Sequence, residues 1–111
     1  MLTRSIATGD PRLLNRAKSA IRTVEPASRI ILYGSRARGD AASDSDWDLL
    51  VLVRGGVTSR REAALLHGIF QVEIETGSVL SASLRSEQDW DSPLSRATAY
   101  HANVTREGIE L

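Results

Sequence analysis

Residues 29–53 read RIILYGSRARGDAASDSDWDLLVLV, and the way this stretch divides decides the fold. RIILY (29–33) and DLLVLV (48–53) are continuous apolar runs of strand length, the pattern of strands covered on both faces. Between them lies a polar segment that opens with Gly34-Ser35 and closes on Asp46 and Asp48. Residues i and i+2 of a strand share a face, so Asp46 and Asp48 are expected to project together where the second strand begins, with Trp47 directed the other way.

That arrangement has chemical content. Two carboxylates held so close repel each other unless a cation sits between them, which suits Mg²⁺ and its preference for hard oxygen ligands. A Gly-Ser turn after a strand offers backbone N–H groups, a hydroxyl and a short helix start to a phosphate. A metal and a phosphate held side by side are what phosphoryl or nucleotidyl transfer requires. Each part alone is common: DxD occurs on many surfaces, Gly-Ser is an ordinary turn, and the acids of GDAASDSD are equally able to cap their own backbone. The setting, with both parts abutting buried strands at one end of a sheet, favours the metal–phosphate reading.

The flanking sequence completes an α/β pattern. Asp10-Pro11 opens a helix whose face carries Leu14, Ala17, Ile21 and Val24 and which Pro26 stops. Ser59 and Glu62 have capping-box spacing and open a second helix bearing Leu65, Leu66, Ile69 and Val72, ended by Gly77. FQVEIE (70–75) alternates like a strand but is read as the last turns of this helix. A third strand follows from Val79 to Leu84, then a helical turn from Ser86 to Trp90, and Ser92-Pro93 caps a C-terminal helix running through Tyr100 and Val104. The order α-β-(short turn)-β-α-β-α predicts an α/β (α+β) domain, residues 1–111, with a small mixed sheet flanked by helices.

Composition narrows the function classes. A chain of 111 residues is enough for one core, burying about 65% of its unfolded surface. Lys+Arg and Asp+Glu both count 14, so no global basic field draws in nucleic acid, which argues against a template-dependent polymerase. The absence of cysteine excludes disulfides and thiolate metal sites. Residues 1–11 lack the apolar core of a signal peptide and no run reaches the ~18 residues of a membrane span, so a cytoplasmic protein is expected. Homo-oligomerisation is left open.

Gly34-Ser35, ten residues, then Asp46-Trp47-Asp48 matches the GSx10DxD signature of the nucleotidyltransferase superfamily that includes polymerase beta. The string LYGSRARGDAASDSDWDLLVLV resembles the minimal nucleotidyltransferases, the MNT proteins found beside HEPN partners in prokaryotic toxin–antitoxin pairs. The segment SLRSEQDWDSPLSRATAYHANVTREGIEL is similar to the end of a short-chain branch of that family. The resemblance implies a nucleotidyltransferase fold in which Gly34 and Ser35 hold nucleotide phosphates and Asp46 and Asp48 act as catalytic residues and ligate Mg²⁺. It implies Arg36 and Arg38 as phosphate or partner contacts, with surface arginines as the alternative. The implied activity is transfer of AMP from ATP to a hydroxyl of a HEPN-type toxin, as an antitoxin.

One departure stands out. Active members of the superfamily usually supply a third carboxylate from a following strand, and VLSASLRS has none; Ser81 is expected at that position, or Ser83 if the register shifts by two. A neutral hydroxyl is a weaker ligand and a poorer aid to a base, so activity should be impaired. Glu73 or Glu75 would substitute only if residues 70–75 formed a strand facing the site. The alternative function is a weak or inactive nucleotidyltransferase-fold module that neutralises a HEPN partner by docking. His67 and His101 lack ligand spacing, Trp90 is read as a packing residue, and Arg60 and Arg61 as solvated.

Overall fold

The computed structural model describes residues 10–111; residues 1–9, which carry most of the segment read above for a signal peptide, lie outside the described residues. Helix α1 (Pro11–Val24) starts where the Asp10 carboxylate accepts the Leu13 N–H at 3.1 Å and ends before Pro26. Strand β1 (Arg29–Tyr33) leads into a single-turn helix, α2 (Ser35–Arg38), and strand β2 (Trp47–Val53) returns beside β1. Helix α3 (Ser59–Thr76) crosses over to β3 (Leu80–Ser86), and α4 (Glu87–Trp90), α5 (Pro93–Arg96) and α6 (Ala99–Glu107) precede the short strand β4 (Ile109–Glu110).

The four strands form one sheet in the order β3-β2-β1-β4. The β1–β2 and β1–β4 pairs are antiparallel and β2–β3 is parallel, so the sheet is mixed as expected. β1 and β2 occupy its centre, which is why their sequences are apolar on both faces. On one face Ile30, Leu32, Leu49, Val51 and Val53 pack under Leu14, Ala17 and Ile21 of α1 and Leu65, Ile69 and Val72 of α3. The other face carries a smaller cluster of Ile31, Leu50, Leu52, Trp90 and Val104, with Tyr33 and Tyr100 against it. Each large aliphatic side chain so buried contributes roughly 1.5–3 kcal/mol. No helix among the described residues is long and apolar enough to cross a membrane.

Several local expectations need correction. The N-cap of α3 is Thr58, not Ser59: its hydroxyl accepts the Arg61 N–H at 3.1 Å. Residues 70–75, by contrast, are helical through Thr76 as expected, and Gly77 ends the helix with φ 73°. Leu66, counted on the buried face of α3, is 48% exposed and lines up with Phe70 and Ile74 on the outer side. The helix expected from Ser92-Pro93 through Val104 is broken into α5 and α6, because the Thr98 hydroxyl donates back to Ser95 O at 2.7 Å and accepts the His101 N–H at 3.1 Å, ending one helix and capping the next. Arg61 is not simply solvated; it pairs with Glu25 at 2.8 Å and donates to Arg54 O and Gly56 O, tying the β2–α3 loop to the end of α1.

Candidate active site

β1 ends on Tyr33, and the chain turns at once into α2 through Gly34, whose φ of 79° and ψ of −160° lie in a region essentially restricted to glycine. A second constraint acts on the same residue: a Cβ at Gly34 would overlap Asp48 Oδ2 and sit 3.3 Å from Asp48 Cγ. Glycine is thus required both by the backbone and by the carboxylate lying against it. Gly34 O accepts the Ala37 and Arg38 N–H groups at 3.0 Å, buried Ala37 anchors the turn, and Gly39, with φ 84°, ends it. The Ser35 hydroxyl makes no hydrogen bond among the described residues.

Asp48 enters from β2. It pairs with Tyr33 of β1 on one side and with Ser81 of β3 on the other, on the face opposite buried Trp47. Asp46 is exposed and precedes the strand by one residue. Partial burial, and after it the charge of Asp46, pushes the Asp48 carboxyl above its ordinary pKa; Arg38 opposes this and Glu107 adds a smaller push. A carboxylate whose charge is disfavoured in this way is stabilised by an added cation. Among the described residues no three His, Cys, Asp or Glu side chains converge as a metal cage. Asp46 and Asp48 are then the two carboxylates that would hold a cation, which fits Mg²⁺, commonly held by one or two carboxylates with substrate phosphates and water completing the shell.

The register places Ser81, rather than Ser83, directly beside Asp48, and Ser81 is exposed there. Neither Glu73 nor Glu75 replaces the missing acid: Glu73 accepts the Leu80 N–H at 2.9 Å at the start of β3, and Glu75 pairs with Arg16 at 2.7 Å. Arg36 lies 4.4 Å over the Trp47 ring and donates to Ser43 O and Ser45 O, so it braces the loop that delivers Asp46. Arg38 reaches Asp40 and Glu107, each at 3.2 Å. His67 is exposed on α3, while His101 stacks on buried Trp90 with ring centroids 4.3 Å apart.

Two side chains of α6 join this end of the sheet without any signal in the sequence motif. Glu107 Oε1 accepts the Gly34 N–H at 3.0 Å. The Tyr100 hydroxyl donates to the Tyr33 hydroxyl at 3.2 Å, with the rings edge-to-face. Burial, and then that hydrogen bond, drives the Tyr100 pKa well above its ordinary value, so it stays a neutral donor. Tyr100 and Glu107 lie 52 and 59 positions beyond Asp48, where only the tertiary fold could bring them back.

A family model for the nucleotidyltransferase domain matches residues 14–91, well over half of the sequence and the whole of the segment from Gly34 to Ser81. The chain belongs to the nucleotidyltransferase family. Its fold is similar to that of a chain described as a minimal nucleotidyltransferase, with a TM-score of 0.56 and 28% identity over 90% of this chain and 93% of that one. A toxin–antitoxin structure with AMP-PNP gives a TM-score of 0.57 at 19% identity over 86% of this chain and 69% of that one, a likeness of fold. A comparison with curated proteins found no match. The nucleotidyltransferase fold and the resemblance to minimal members are thus borne out, and Tyr100 and Glu107 fall outside the matched segment.

Proposed function

We propose that residues 1–111 form one minimal, cytoplasmic nucleotidyltransferase domain that binds ATP with Mg²⁺ at the Gly34–Asp48 contact and transfers AMP to a hydroxyl of a HEPN-type partner protein. The observation that carries this reading is the packing of the Asp48 carboxylate against Gly34, whose positive φ disfavours any side chain, within a domain of the nucleotidyltransferase family. Gly34 and Ser35 receive the phosphates, the Ser35 hydroxyl being uncommitted. Asp46 and Asp48 hold the cation, which when bound supplies charge neutralisation for the triphosphate. The acceptor oxygen forms a bond to the α-phosphorus, the bond from that phosphorus to the bridging oxygen of pyrophosphate breaks, and the acceptor proton leaves to solvent or to Asp48. The pairing of a related fold with AMP-PNP in a toxin–antitoxin structure supports both the nucleotide and the protein partner. Incubating a HEPN-type partner with α-labelled ATP tests the proposal: label should pass to the partner from wild type and not from Asp48→Asn, and equal labelling by both rejects it.

A second reading is a docking module with little catalysis. The neutral Ser81 beside Asp48 favours it, as does the apolar stripe of Leu66, Phe70 and Ile74, 48–63% exposed along α3. Toxin neutralisation that survives Asp48→Asn but fails with Phe70→Glu would select this reading.

A further inference from the structure

The backbone N–H of Gly34 already has an occupant. Glu107, the last residue of α6, accepts the Gly34 N–H through Oε1 at 3.0 Å, and Arg38 Nη1 donates to its Oε1 and Oε2, each at 3.2 Å. The Glu107 side chain is only 12% exposed, whereas that of Arg38 is 45% exposed. A carboxylate and a phosphate oxygen carry the same sign of charge and accept the same bonds from backbone N–H and guanidinium groups, so one excludes the other from this place. The contact spans 73 residues of sequence and joins α6 to the turn that the family segment contains. It is also unfavourable in one respect, because it adds a third carboxylate to the neighbourhood of Asp46 and Asp48.

We propose that Glu107 is a resident anion of the Gly34 turn, that nucleotide binds by displacing its carboxylate, and that the displacement releases Arg38 Nη1, while Nε stays on Asp40, to meet the incoming phosphate. The inference rests on the reading of this turn as the nucleotide site. Glu107 then sets nucleotide affinity: only molecules in which it has swung away are competent, and the apparent Kd is raised in proportion. Glu107→Gln keeps the size and one acceptor oxygen but gives up the charge pairing with Arg38, so it leaves the donors more readily. Phosphate should feel this difference and the nucleoside should not.

Titration calorimetry with ATP and with adenosine, at fixed Mg²⁺, on wild type, Glu107→Gln and Glu107→Ala tests the proposal, with thermal melting to verify folding. Both variants are expected to bind ATP more tightly, by on the order of tenfold, with adenosine binding unchanged. In wild type, ATP should shift the Gly34 amide resonance, a reading that needs no variant to fold. ATP affinity that is equal or weaker in both variants while Asp46→Asn with Asp48→Asn still abolishes ATP binding overturns the displacement and leaves the nucleotide site standing. No ATP binding by wild type or any variant removes both.

Discussion

Asp48 and Ser81 are direct partners across the parallel β2–β3 ladder, on the same face of the sheet. Where a third carboxylate is expected, β3 presents a hydroxyl, which brings no charge. Ser81→Asp should therefore speed transfer of label from ATP to a partner, by on the order of 10²–10³, as removal of a single electrostatic stabiliser costs about that much in the opposite direction. The same variant should melt at a lower temperature without Mg²⁺ because it adds a like charge beside Asp48. Unchanged transfer rates would place the chemistry elsewhere.

Gly34→Ala meets two penalties at once, an unfavourable backbone conformation and an overlap with Asp48. The backbone alone should lower stability by about 1–3 kcal/mol. Gly34→Val should be worse, and nucleotide binding should fall in both. Chemical denaturation of the two variants against wild type checks the order.

Asp48→Asn should stabilise the protein in the absence of metal. The folded-state pKa of Asp48 is raised above its unfolded value, so its charge opposes folding at neutral pH, and the penalty fades as pH falls into the ordinary carboxylate range, where the group is protonated in both states. The melting temperature of Asp48→Asn should exceed that of wild type at pH 7, with the gap closing toward acid pH. A gap that widens on acidification has the wrong sign.

The Glu25–Arg61 pair has the opposite dependence. Hydrogen bonding to Arg61 holds the Glu25 carboxyl below its ordinary pKa, so its contribution is present above the unfolded value and is lost as pH falls through the lower, folded one. Arg61→Ala should lower the melting temperature at pH 7 and flatten the acid limb of the stability profile. An acid limb as steep as that of wild type would assign the sensitivity to other carboxylates.

What could be read in the sequence follows from how local each signal is. RIILY and DLLVLV announce central strands because burial on both faces leaves no polar alternation, and Gly34, Asp46 and Asp48 follow from their fixed distance to those strands. Ser81 was legible because a period of two leaves few choices of register. The α5–α6 break was not, since it turns on Thr98 bonding in both directions, and a capping threonine looks the same in sequence as one on a helix surface. Arg36 and Arg38 were legible as charges but not as partners: one stacks on Trp47 and the other meets a glutamate 69 residues away. Glu107 and Tyr100 had no motif at all, because a nonlocal contact to a backbone N–H or a hydroxyl imposes no spacing.

The most direct test of the central claim, that Asp46 and Asp48 hold a metal–nucleotide pair against the Gly34 turn, is the ATP-induced rise in melting temperature measured with and without Mg²⁺. Wild type should show a rise that depends on Mg²⁺, and Asp46→Asn with Asp48→Asn should show none. A Mg²⁺-dependent rise of the same size in the double variant would contradict the account.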